Sequence, residues 1–156
     1  MENIEIAGHT YTVKTDYDHD TGTPWDNEDG HGVVSEWVRR DKRPSEMVLS
    51  RQRGAALYYD FAASTKIAKR DGWGVENSSD MTPGQITHTA VMNDFEHLQA
   101  WARRDWSYIF VTVTNEDGET RSIGGISTED YRYLISVAQE LAEELHAERV
   151  DSPVTV

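Results

Sequence analysis

Cysteine is absent from all 156 residues, which excludes disulfides, thiol nucleophiles and thiolate metal sites. No apolar run approaches membrane-spanning length, and Met1-Glu2-Asn3-Ile4-Glu5 has neither the basic nor the apolar segment of a secretory signal. Both absences lead us to expect a cytoplasmic chain with no membrane partner. Basic residues are scarce: 15 Lys and Arg stand against 28 Asp and Glu, a net charge of −13. A field of that sign repels nucleic-acid phosphate and attracts basic surfaces, so a basic protein is the favoured partner and direct nucleic-acid binding is disfavoured. Apolar residues make up only 37% of the chain, but five Trp and seven Tyr supply large area for burial. The length suits one ordinary domain, expected over 1–150, with 151–156 as a flexible tail.

What is present is charge in blocks. Asp16, Asp18, Asp20, Asp26, Glu28, Asp29 and Glu36 run with His19 and His31 and no intervening cation. Arg39, Arg40, Lys42, Arg43, Arg51 and Arg53 follow, with only Asp41 and Glu46 among them. The simplest account is internal neutralisation of one block by the other, with Trp25 and Trp37 folding the acidic loop onto the body. The second half is uncompensated: residues 71–156 hold 16 acidic and 5 basic groups.

Periodicity predicts an α+β domain with an antiparallel sheet built from hairpins and about three helices, in the order β-β-loop-β-β-α-α-β-β-α. Ile4–Ala7 and Tyr11–Thr15 alternate around Gly8-His9, and residues 16–36 read as a long loop. Met47–Ser50 and Leu57–Tyr59 form a second hairpin. Asp60 caps a helix that Gly72 closes, and Thr82-Pro83-Gly84-Gln85 is a capping box for the next. That helix carries Val91, Phe95, Leu98 and Ala102 on one stripe with Trp101 beside it, and His97 toward its polar face. Tyr108–Thr114 is apolar on both faces, as a central strand requires, and Thr120–Ile126 pairs with it. The last helix starts at Ser127 with Asp130, and its apolar stripe is Tyr131, Leu134, Ile135, Ala138, Leu141, Ala142 and Leu145.

Several chemistries can be weighed on spacing. Asp16, Asp18 and Asp20 alternate as in the first half of a calcium loop, but Thr21 replaces the Gly and Asn27 the Glu that the motif needs. They remain metal candidates, a metal-dependent hydrolase would instead recruit His19 or His31 with Asp26, Glu28 and Asp29, and no cofactor is expected. No two histidines are spaced as zinc ligands, and no serine lies in a nucleophile elbow. Arg39, Arg40, Lys42 and Arg43 beside Trp37 are a candidate basic and aromatic patch. Glu129, Asp130, Glu140, Glu143, Glu144 and Glu148 on the last helix, with Asp26, Glu28 and Asp29 in the loop, are the candidate acidic binding surface. Asp94 and Glu96 on the earlier helix extend it. Carboxylates along a helix can imitate the phosphates of a duplex.

Short motifs in order carry a resemblance. Asp29-Gly30-His31-Gly32 with Trp37, Arg40-Asp41-Lys42-Arg43-Pro44 with Glu46, Arg53-Gly54, Tyr59-Asp60-Phe61 and Arg70-Asp71-Gly72-Trp73-Gly74 resemble a group of small acidic, mostly uncharacterised proteins of tailed bacteriophages and prophages. Asp94-Phe95-Glu96-His97-Leu98-Gln99-Ala100-Trp101 with Asp105-Trp106 and Tyr108 is similar to the same group. The resemblance spans roughly residues 24 to 145 and implies a bacterial host cytoplasm, with no catalytic residue to carry over. The expectation is a non-enzymatic phage accessory protein that binds and inhibits a host protein of defence or nucleic-acid processing through an acidic, nucleic-acid-mimicking surface. The alternatives are a divalent-metal-dependent enzyme using the Asp/His-rich loop 16–36 and a nucleic-acid-binding module using the basic block 39–53.

Overall fold

The computed structural model describes residues 2–52 and 54–151. Arg53 of the basic block and residues 152–156 of the expected tail lie outside them. The fold is α+β with two antiparallel sheets. The chain divides into two compact units: residues 2–21 with 106–151, and the intervening residues 22–105.

The first unit is a four-stranded sheet in the order β1 (Glu2–Ile6), β2 (His9–Tyr17), β6 (Tyr108–Thr114), β7 (Thr120–Ser127). The β1–β2 hairpin turns on Ala7 and Gly8, both at positive φ (50° and 82°), with Ile6 opposite His9. Two consecutive left-handed residues match the twist of the strands they join. β6 lies between β2 and β7, as its two-sided apolar sequence requires. Its turn into β7 is held by the buried Asn115 side chain, which accepts from Asp117 N (3.0 Å) and Glu119 N (2.9 Å). Helix α4 (Tyr131–Asp151) covers the sheet with Val137, Ala138, Leu141, Ala142 and Leu145, which meet Tyr11, Val13, Val111 and Val113 in one core. The cap is Asp130, whose side chain accepts from Tyr133 N (3.1 Å), rather than Ser127. The stripe is also rotated from expectation. Val137 belongs to it, and Tyr131 and Ile135 are exposed at its margin.

The second unit holds the short helix α1 (Pro24–Asn27), a three-stranded sheet in the order β3 (Val33–Val38), β5 (Ala55–Asp60), β4 (Glu46–Gln52), then α2 (Phe61–Asp71) and α3 (Pro83–Ala102). Residues 16–36 are therefore not one loop: the end of β2, all of α1 and most of β3 fall within them. The exposed Glu36, Trp37 and Val38 of β3 blur the two-residue alternation that marks a half-buried strand. α2 begins at Asp60, whose carboxylate accepts from Ala63 N (3.0 Å), and closes at Gly72 in the left-handed region. The capping box of α3 is complete, with Thr82 and Gln85 bonded reciprocally. Leu49, Tyr59, Ala68, Val91 and Leu98 form the core of this unit, and Trp25, Val34, Met47, Leu57, Phe61, Trp73 and Phe95 pack against it.

Candidate functional site

Within the second unit, the apolar stripe of α3 is broken by a carboxylate. Asp94 lies three residues after Val91 and four before Leu98, so the helix turns it into the core, where it is 9% exposed. A carboxylate there must be fully hydrogen-bonded. Asp94 Oδ1 accepts from His31 Nδ1 (2.6 Å), and Oδ2 accepts from Gly32 N and the Tyr59 hydroxyl (2.8 Å each). Asp94 thus belongs to the interior and not to the acidic surface expected from sequence.

His31 is held from its other side as well, with Nε2 3.1 Å from Glu28 Oε2. Its ring stacks on His97 of α3, with centroids 6.0 Å apart and planes 12° from parallel. His97 is half-buried in this contact and does not stand free on the helix surface. The hydrogen bond to Asp94, reinforced by Glu28, raises the His31 pKa against the opposing cost of burial. Each ring nitrogen already faces a carboxylate oxygen, so neither is left open to take a proton from a substrate. Burial, with the neighbouring Asp94 charge, pushes the Tyr59 phenol up, so it stays a donor.

Gly32 makes the close approach possible. A Cβ there would sit 2.2 Å from Ser64 Oγ and 2.5 Å from the Tyr59 hydroxyl oxygen. Ser64 accepts from Val33 N (2.9 Å), so α2, α3 and β5 all grip the entry to β3. This network pins residues 28–33, and Trp25 adds an edge contact to Trp101 at 5.3 Å. Of the two tryptophans expected to dock the acidic loop, Trp25 does so, whereas Trp37 is half-exposed and lies under Arg40. It is histidine and aspartate, and not the basic block, that complete the docking.

The basic block makes a different structure. Arg40 forms a two-pronged ion pair with buried Glu46 (2.9 and 2.7 Å), and its guanidinium lies over the rings of Trp37 (4.2 Å) and Tyr58 (5.0 Å). Glu46 also accepts from Arg43 N (2.8 Å). The Arg40 pair, with this backbone bond, draws the Glu46 carboxyl down to about 2. The side chains of Arg39, Lys42 and Arg43 make no ion pair with the acidic loop among the described residues. The expected neutralisation of one block by the other is therefore replaced by a single pair inside the basic block.

In the first unit, Asp18 closes its own loop. Its carboxylate accepts from Asp20 N (3.0 Å), Thr21 N (3.2 Å), the Thr21 hydroxyl and Gly125 N (2.7 Å). The Thr21 hydroxyl in particular holds the Asp18 pKa below the usual range. Asp16 accepts from Tyr17 N, and Asp20 is exposed. Among the described residues, no three His, Asp or Glu side chains gather so as to hold a metal ion.

The candidate acidic surface divides between the units. Asp26 accepts from the Thr23 hydroxyl, Glu28 faces His31 and Asp29 is exposed, all in the second unit. Glu129, Asp130, Glu140, Glu143, Glu144 and Glu148 are exposed in the first. Glu148 pairs with Arg121, and Glu143 accepts from Gln139 (3.1 Å). Glu140 and Glu144 make no hydrogen bond or ion pair among the described residues.

Fold and site together define an α+β protein with an acidic helix face and a histidine–carboxylate lock. No family model, curated protein or solved structure matches the chain. No helix among the described residues is long and apolar enough to cross a membrane.

Proposed function

We propose that this is a non-enzymatic accessory protein of a tailed phage or prophage. It binds a host protein of defence or nucleic-acid processing through the acidic face of α4 and blocks it. The observation that carries the reading is where the charge lies. The first unit holds 15 acidic and 4 basic residues, a net of −11, and the second holds 13 and 11, a net of −2. Glu140, Glu143 and Glu144 stand exposed within about one helical turn of 5.4 Å pitch. Carboxylates so spaced present a repeating negative charge to a basic groove, as phosphates do. The non-enzymatic part rests on His31, the most enzyme-like side chain, being engaged at both nitrogens.

The test uses immobilised protein in nuclease-treated bacterial lysate. The expected result is retention of a basic nucleic-acid-binding protein, its elution by duplex DNA or salt, and its loss with E140Q/E143Q/E144Q. A retained partner that is indifferent to both DNA and these substitutions contradicts the reading.

A further inference from the structure

The outer face of the second unit's sheet presents a surface that the α4 reading does not use. Alternation along β3 and its register with β5 and β4 put Trp37, Ala56 and Arg51 in one row and Ser35, Tyr58 and Val48 in the next. Arg40 lies over Trp37 and Tyr58 and is fastened to Glu46, so the platform is rigid before any ligand arrives. Trp37 is 40% exposed and Val38 68%. β3 is the edge of its sheet, and among the described residues only the first of its N–H groups, that of Val33, is taken up by a side chain, Ser64. Arg39 follows β3 directly, Lys42 and Arg43 lie on the loop that runs from there to Glu46 at the start of β4, and Arg51 is on β4 itself. All four are exposed, and their side chains form no ion pair among the described residues. The carboxylates nearby are Asp41, exposed beside them, Glu46, spent on Arg40, and Glu36, which points to the opposite sheet face from Trp37. In a unit of net charge −2, residues 37–51 hold five cations and two anions.

We propose that the β3 edge with its Trp37 platform is a docking site for an extended acidic polypeptide, which adds a strand to the sheet beside β3. A sheet edge offers alternating donors and acceptors that a polypeptide backbone can satisfy and a sugar-phosphate backbone cannot. The tryptophan also suits a side chain better than a base. Arg40 lies over its ring and its indole N–H is bonded to Ser35 (2.8 Å), so no open stacking slot remains for successive bases. Charge then selects among polypeptides: Arg39 at the end of β3 and the cations of the loop that follows it attract carboxylates and repel lysines.

The experiment measures binding of a labelled peptide of about ten residues alternating Glu and Val, the length of a long strand. The full-length protein is used throughout. Saturable binding is expected, weakening as NaCl rises from about 0.05 to 0.3 M. R39E/K42E, at two exposed side chains that form no ion pair among the described residues, and W37A should each weaken it about tenfold or more, with unchanged far-UV circular dichroism. A version of the peptide with Pro at alternate positions, which removes backbone donors, should fail to bind. No binding of the Glu/Val peptide, equal binding of a Lys/Val peptide, or tolerance of the prolines overturns the proposal. Tighter binding of a single-stranded oligo-dT would assign the face to nucleic acid instead. A protein dimer that W37A dissociates would assign it to a second copy.

Discussion

His31 owes its behaviour to two carboxylates, one buried and one half-exposed. Because its folded pKa is raised above the ordinary 6.5, the imidazolium stabilises the fold fully below about pH 6.5. That contribution is lost as pH rises through the folded value. Stability measured by urea unfolding should therefore decline as pH rises above about 6.5. D94N should return the His31 titration, followed by NMR, toward the ordinary value and flatten that decline. A His31 titration unmoved by D94N would contradict the assignment. Glu46 has the opposite sign: with its pKa near 2 against an ordinary 4.5, its contribution is present above about pH 4.5 and disappears as acid approaches 2. His31 could be singled out in the sequence because glycines flank it, but Asp94 and Tyr59 could not be joined to it. They lie 63 and 28 positions away in the chain, and nothing local couples them. One signal was readable: an aspartate inside an apolar helical stripe calls for a buried partner.

Elements were most legible where a local rule closes within four or five residues. The Asp60 cap, the Gly72 stop and the Thr82–Gln85 box all form as their spacing dictates. T82A should cost about 1 kcal/mol in urea unfolding, while T82S should cost far less, since a hydroxyl still reaches Gln85 N. Equal losses in both would show that the side-chain bond is not what holds the end of α3. Elements whose residues face water on both sides were harder. β3 gains its strand geometry from β5 and from the grip on Gly32 and Val33, and not from its own alternation. α4 shows the same limit more mildly. Its length and apolar content were evident, but which flank of the stripe meets the sheet depends on β1, β6 and β7.

At the scale of the whole molecule, charge is concentrated in one of two compact units, −11 against −2. Repulsion of that size opposes compaction and is screened by salt over roughly 10 Å at 0.1 M. The melting temperature should accordingly rise when NaCl is increased from about 0.02 to 0.3 M. A flat or falling profile would mean that the carboxylates are already locally compensated. By itself the sequence determined the α+β class, the hairpins, the helix caps and the acidic excess, because each depends on composition or on neighbours a few residues apart. Only the tertiary structure decided that Asp94 is interior, that Arg40 answers Glu46 and not the acidic loop, and that Trp37 stands half-exposed under Arg40 on an edge strand. Those facts depend on contacts between residues distant in the chain, and a one-dimensional pattern of polarity contains no term for them.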